Sequence, residues 1–391
     1  MSAGEGAANR YGRVSELRLS AVARDGRTVV PDLYASMPFK VMHPFPVDAA
    51  ELPGLRTAGA REAAGVVAAE AVAAGAEGAG AEEAACPLDG ATAAGTPAKA
   101  PSPNASSAPA VPAPFAAPVQ VMVMSVSAGI MAGDAQRIDV HVGTGAALQV
   151  TSQAFEKIHR MDEGGRATRR VRLRVDAGGY LDYRPLPQIP FAGSAFASDT
   201  RIELASPTAR LVYGEVLSCG RAARQERFAY RSYRNRVEVR VAGAPVFIDN
   251  TVYEPAPPVA SMQPLPDGGS FLMGASPAGA RTDDAPYTGD APLAGMDMEG
   301  FGLYEGFTHL ANLVLVNLGI TDEAFARVRS YLLEVTGVIG AGASEPAARV
   351  GADAVAGGVT RLESGDCLVK LLGMRAQRLQ DVMAEVRRLL A

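Results

Sequence analysis

The chain has no tryptophan, and only three cysteines and four histidines in 391 residues. Cys86, Cys219 and Cys367 stand far apart, with no CxxC pair and no even-numbered framework. That excludes a disulfide scaffold and fits a reducing cytoplasm. His43, His141, His159 and His309 are scattered, and no HExxH joins two of them. A GxxxxGK[ST] loop is missing too, so the chain is not itself a P-loop NTPase. GASPAG at 274–279 is not a GxSxG elbow, because it sits in a loop-like segment rather than between a strand and a helix. Long apolar runs are absent: 117–133 and 310–320 are short or broken by Gln120, Asn312 and Asn317, and neither is a membrane span. MSAGEGAANRYGR lacks the basic-then-apolar order of a leader, which again predicts a cytoplasmic protein. With a net charge of −5, no global cationic field draws the chain to nucleic acid or an anionic membrane.

What is present has the balance of a globular protein, 48% hydrophobic and 20% charged. Its strongest signal is a period of two. Ile138, Val140 and Val142 alternate with Arg137, Asp139 and His141. Val171, Leu173 and Val175 alternate with Arg170, Arg172 and Arg174, and Val237, Val239 and Val241 with Arg236, Glu238 and Arg240. Each segment has one apolar and one polar face, the pattern of half-buried strands in antiparallel sheets. GTG at 143–145, DAGG at 176–179 and AGAP at 242–245 supply turns between them. Repeated strand–turn–strand units across 118–255 predict a mainly β fold of layered or coiled sheets, not a parallel α/β fold.

Helices are expected late. Phe325, Val328, Leu332 and Val335 follow Thr321, an N-cap with Asp322 and Glu323 in the first turn. Leu379, Val382, Met383, Val386, Leu389 and Leu390 form a second stripe, and Cys367–Leu372 reads as a strand between the two helices. Residues 50–117, rich in Ala, Gly, Pro, Glu and Ser, cannot bury enough surface to offset their ordering entropy, which predicts a disordered insertion within one domain made of 1–49 and 118–391. A second loop-like insertion is expected at 256–299.

Four carboxylates stand out. Asp134 ends the Gly-rich SAGIMAGD, where Gly129 and Gly133 permit positive φ and close backbone approach, and its carboxylate can cap a turn or handle a cation. Glu215 and Glu226 lie in GEVLSCGRAARQERF, where Arg221 and Arg224 favour an ion-paired surface and Cys219 reads as buried filler. Asp249 follows the apolar Val246–Ile248, closing a buried strand, and needs a partner there. His141 falls on the polar face of its strand, and His159, crowded by Lys157, Arg160 and Met161, reads as part of a partner-facing turn.

Taken in order, PFKVMHPF, SAGIMAGD, TSQAFEKIHRM, LDYRPLPQIPFAGSAF, GEVLSCGRAARQERF, GAPVFIDN and GLYEGFTHLANLVLV resemble the urease accessory protein UreD family, called UreH in some organisms. The chain departs from the family pattern at Ala128-Gly129 and Ala132-Gly133, where a Gly-Gly pair is usual. The resemblance implies a β-helix-like body with few helices, and a non-catalytic protein that binds apo-urease and recruits UreF and, through it, the GTPase UreG. It also implies nickel passing through an internal tunnel, with Asp134, Asp249, Glu215 and Glu226 as contacts for transient Ni²⁺ and no stably bound cofactor. Two competing readings are a metal-dependent hydrolase using Asp134, His159, Glu226 and Asp249, and a purely structural binding module.

Overall fold

The computed structural model describes residues 14–55, 115–255, 296–300, 302–336 and 351–390. Most of 50–117 and of 256–299, with Cys86 and GASPAG, lies outside the described residues. Numbered along the chain, the strands are β1 (Val14–Arg24), β2 (Arg27–Ala35), β3 (Phe39–Val41), β4 (Phe45–Pro46), β5 (Val119–Ser125), β6 (Ala135–Val142), β7 (Ala147–Ser152), β8 (Glu156–Ile158), β9 (Ala167–Val175), β10 (Tyr180–Arg184), β11 (Gln188–Pro190), β12 (Ala195–Leu204), β13 (Arg210–Ser218), β14 (Ser232–Val241), β15 (Ala244–Tyr253), β16 (His309–Val316), β17 (Val355–Arg361) and β18 (Cys367–Gly373). Two helices come late, α1 (Asp322–Thr336) and α2 (Ala376–Leu390).

The strands build two sheets. The first runs β15-β14-β12-β9-β6-β1-β2, and the second runs β17-β18-β16-β13-β10-β7-β5-β3. From β5 to β14 the chain alternates between them, so it winds as a coil. The long neighbours pair in parallel: β6 with β9, β9 with β12 and β12 with β14 in one sheet, and β5, β7, β10 and β13 in the other. This corrects the antiparallel expectation. The turns at 143–146 and 176–179 carry the chain across to the opposite sheet instead of back along its own. Alternation reports one buried face and says nothing about the direction of the hydrogen-bonded partner. Antiparallel pairing remains at the margins, as in β1–β2, β14–β15 and β13–β16.

Register stacks the inward residues into rows. Leu19, Val140, Leu173, Ile202 and Val239 form one such row, all buried. They join Leu148, Leu181 and Leu211 of the second sheet in the main apolar core. On the outer face of the first sheet, charged side chains form a lattice, with Arg236 bonded to Glu238 at 2.7 Å and Arg240 to the same carboxylate at 2.6 Å. A third wall is built from β8 and β11, which pair in parallel, and from Ile130 bridging to Ile158. It encloses a separate apolar cluster of Ile130, Ile158, Phe196, Tyr233 and Tyr304.

Both helices lie on the outer face of the second sheet, where Val328 and Leu332 of α1 and Leu379, Val382 and Val386 of α2 cover Val212, Leu313, Leu315 and Val369. The N-cap is as expected: Ala324 N donates to Thr321 Oγ1 at 3.2 Å. A buried charge cluster ties α2 to the coil. Asp182, 0% exposed, accepts from Arg184 Nε at 2.6 Å, Arg387 Nη2 at 2.9 Å and Gln149 Nε2 at 2.9 Å. Burial alone would raise this carboxyl's pKa, but the two guanidiniums outweigh it and hold it below the usual carboxylate range.

The chain leaves the described body at Leu55 and re-enters at Phe115. One side chain touches both ends, which backbone hydrogen bonds of Ala116 and Ala117 and the buried Leu52 and Leu55 also fix. Arg210 donates to the carbonyl of Gly54 and lies 4.8 Å over the ring of Phe115.

Candidate functional site

Extending the inward phase of each long strand back by two residues beyond its apolar run gives Gln136 in β6, Arg169 in β9 and Asn235 in β14. Register places them in one row with Ser15, Ser198 and Thr251: a polar line across six strands of the first sheet. Ser15, Gln136, Arg169, Ser198 and Asn235 are all buried. This line separates the main apolar core from the cluster under the third wall. Buried polar atoms must find partners, and most of these do. Arg169 donates to Gln136 Oε1 at 2.9 and 2.7 Å, pairs with Glu156, and lies over the ring of Phe196.

Facing Asn235 and Thr251, the second sheet presents Glu215, Asn312 and Lys370 side by side on β13, β16 and β18. Glu215 is the best-bonded carboxylate of the four predicted. It accepts from Tyr213 Oη at 3.0 Å, from Asn235 Nδ2 at 3.0 and 2.9 Å, and from Asn312 Nδ2 at 3.1 Å. Burial pushes its pKa up; the Asn312, Tyr213 and Asn235 donors pull it down, and the Asp249 carboxylate adds to the rise. Asp249 joins the cluster through the same amide, with Asn312 Nδ2 donating to its Oδ2 at 3.3 Å, and Lys370 Nζ completes it at 2.9 Å. The expectation that Asp249 closes a buried strand is corrected: it lies mid-way along the edge strand β15, next to the exposed Ile248. Its partners come from the opposite sheet. A cavity of about 10 Å³ adjoins Glu215, Asn235, Thr251 and Asn312. At the other end of the layer a larger cavity, about 130 Å³, lies among Gly129, Phe155, Glu156, Arg169 and Tyr183.

The other predicted residues lie apart from this cluster. Asp134 Oδ2 accepts from Met131 N at 2.8 Å, so it caps the turn that the glycines form. Gly129, at φ 145°, has room for no side chain: a Cβ there would stand 2.3 Å from the Lys157 carbonyl oxygen. His159 packs against the same turn, its Nε2 2.9 Å from Ala128 O and its ring on Phe191. Glu226 is ion-paired with Arg221, which lowers its pKa. His141 meets Asp176 at 2.9 Å, and Cys219 is fully buried, its thiol pushed up to about 11. Asp134, His159, Glu226 and Asp249 each bond a different partner, and among the described residues no three His, Cys, Asp or Glu side chains gather as a metal cage.

Asn235, Asn312, Lys370 and the Asp182–Arg387 pair escaped the sequence reading. For Asn235 the signal existed in the strand phase. Asn312 shows only as a break in the apolar run 310–320 and Lys370 carries no signal, because their partners lie 63 to 121 residues away.

A two-sheet coil with a polar layer through its core and helices on one flank defines a β-solenoid scaffold. A family model described as UreD urease accessory protein matches residues 97–288. The chain is 31% identical over 222 residues to the urease accessory protein UreH of Helicobacter pylori (strain P12), covering 57% of this chain and 68% of that one. It is 28% identical over 272 residues to the urease accessory protein UreD of Acetivibrio thermocellus, covering 70% and 82%. With UreD of Yersinia pestis bv. Antiqua, 39% identity spans 138 residues, 34% of this chain and 49% of that one. The chain belongs to the UreD/UreH family of urease accessory proteins, and its relatives are named for an accessory role, not for catalysis.

Proposed function

We propose that this chain is a cytoplasmic scaffold for urease maturation that binds apo-urease, recruits UreF and through it the GTPase UreG, and hands Ni²⁺ along its interior polar layer. The observation that supports this reading is the buried row from Gln136 through Arg169 to Asn235, which ends on Glu215 and Asp249. Burying polar groups costs free energy unless each finds a partner, so a layer of this extent supports a role other than packing, one that the Glu215–Asp249 end can serve. Carboxylate and amide oxygens with water hold Ni²⁺ loosely, whereas a His/Cys cage would trap it. In this scheme Glu215 and Asp249 meet the ion, while Asp134 and Glu226 hold the turn and the ion pair described above.

The test is co-expression with urease and the other accessory proteins, with wild type compared to Glu215→Gln, Asp249→Asn and Asp134→Asn. The first two should copurify with UreF and urease yet leave urease depleted of nickel. Asp134→Asn should load normally. Full nickel in Glu215→Gln and Asp249→Asn sinks the path, and failure of the wild type to copurify sinks the scaffold.

A further inference from the structure

The Glu215–Asp249 cluster holds one feature that a hydrogen-bonded core has no use for. Asn312, 5% exposed, turns its Nδ2 to both carboxylates and leaves its buried Oδ1 without a hydrogen-bond partner. A buried carbonyl oxygen left without a partner is destabilising. Rotating the amide by half a turn would aim Oδ1 at the carboxylates, an arrangement that needs a cation or a proton between them. The adjoining cavity of about 10 Å³ is close to the room one water-sized species takes up.

A cation already stands at the cluster. Lys370 Nζ lies 2.9 Å from Asp249 Oδ2, on a side chain that is 48% exposed and therefore able to swing into solvent. Register sets Lys370 directly beside Asn312, so the ammonium and the amide approach the same carboxylate from neighbouring strands. We propose that Lys370 is a displaceable counter-cation: it neutralises Asp249, one of the two carboxylates that with Asn312 would hold a divalent ion, and competition from its ammonium keeps that ion's stay short. This rests on the reading that the cluster meets Ni²⁺. With the ion bound, the two carboxylates and Asn312 Oδ1 are its ligands and Lys370 is out in water. When Lys370 returns, the ion is released, and no bond other than coordination is made or broken.

The experiment is equilibrium binding of Ni²⁺ alone to the full chain, with release to a chromogenic chelator followed by stopped flow. Lys370→Met should tighten binding roughly tenfold, the effect of removing one partly screened unit charge at contact distance, and slow release by a similar factor. Adding Asp249→Asn to Lys370→Met should abolish the gain, and Asn312→Val should weaken binding in either background. If Lys370→Met leaves affinity and release unchanged while Glu215→Gln weakens binding, the counter-cation role is wrong and the path reading stands. If Glu215→Gln and Asp249→Asn also change nothing, both fall. Circular dichroism checks the fold, and Lys370→Gln, which keeps a polar end without the charge, replaces the methionine variant if that one does not fold.

Discussion

Replacing Asp182 by leucine should cost more than removing Arg387, one of the two arginines that bind it. The carboxylate is fully buried between Arg184 and Arg387, at 2.6 and 2.9 Å, with Gln149 as a third donor at 2.9 Å. Without it, two guanidiniums share a pocket with no anion, and breaking a buried pair in this way costs about 3–5 kcal/mol. Arg387→Met is milder, because Asp182 keeps Arg184 and Gln149: it loses one charge-assisted bond, about 1.5–3 kcal/mol. The double variant should therefore fall short of the sum of the singles by about 1.5–3 kcal/mol, the coupling of the pair. Urea unfolding followed by far-ultraviolet circular dichroism reads all four corners of this cycle; the chain has no tryptophan to report by fluorescence. Because the pair is out of solvent, added salt should leave the coupling intact. Acid should not. The Asp182 carboxyl is held below its ordinary value, so its contribution is complete above the unfolded pKa and is lost as pH falls through the folded one. A coupling within about 0.5 kcal/mol of zero, or an Arg387 variant less stable than the Asp182 one, would refute the argument.

Three further outcomes follow from single residues. Burial lowers His309 from 6.5 to about 4, so its neutral form stabilises the fold above pH 6.5 and that stability drains as pH falls towards 4, on the order of 3 kcal/mol in all; urea midpoints of wild type and His309→Asn between pH 7.5 and 4.5 should converge, and parallel curves would count against it. Gly129→Ala should cost about 3 kcal/mol or more, since the new Cβ meets a backbone oxygen that already accepts from Ile130; a loss below about 1 kcal/mol would mean that the turn yields. Thr321→Ala removes the cap on Ala324 N and should lower stability by about 1 kcal/mol, with faster amide exchange confined to the first turn of α1.

Much of the fold was legible because its signals are local. The alternation at 137–142, 170–175 and 236–241 gave strands, the apolar stripes gave both helices, and Thr321 gave the cap. Strand direction was not legible. A buried face looks the same in parallel and antiparallel sheets, and only the path of the turn between strands separates them. The candidate site was half legible. Asp249 could be picked out as a carboxylate in apolar company. Glu215, expected on an ion-paired surface with Arg221 and Arg224, instead faces inward to Tyr213, Asn235 and Asn312. The meeting of the two on Asn312 joins three strands distant in sequence. Asp182 and Arg387, 205 residues apart, show the same limit for the core.

Arg210 has a consequence for how this chain could vary over time. Two points of the chain drawn together on one guanidinium make a handle: the length between them need not disturb the winding of the coils. Closing such a handle depends only on the logarithm of its length, so growth from about ten residues to about sixty costs only about 1.6 kcal/mol. An insertion between these two points can therefore lengthen at little cost, whereas loss of Arg210 would remove a contact that both points share.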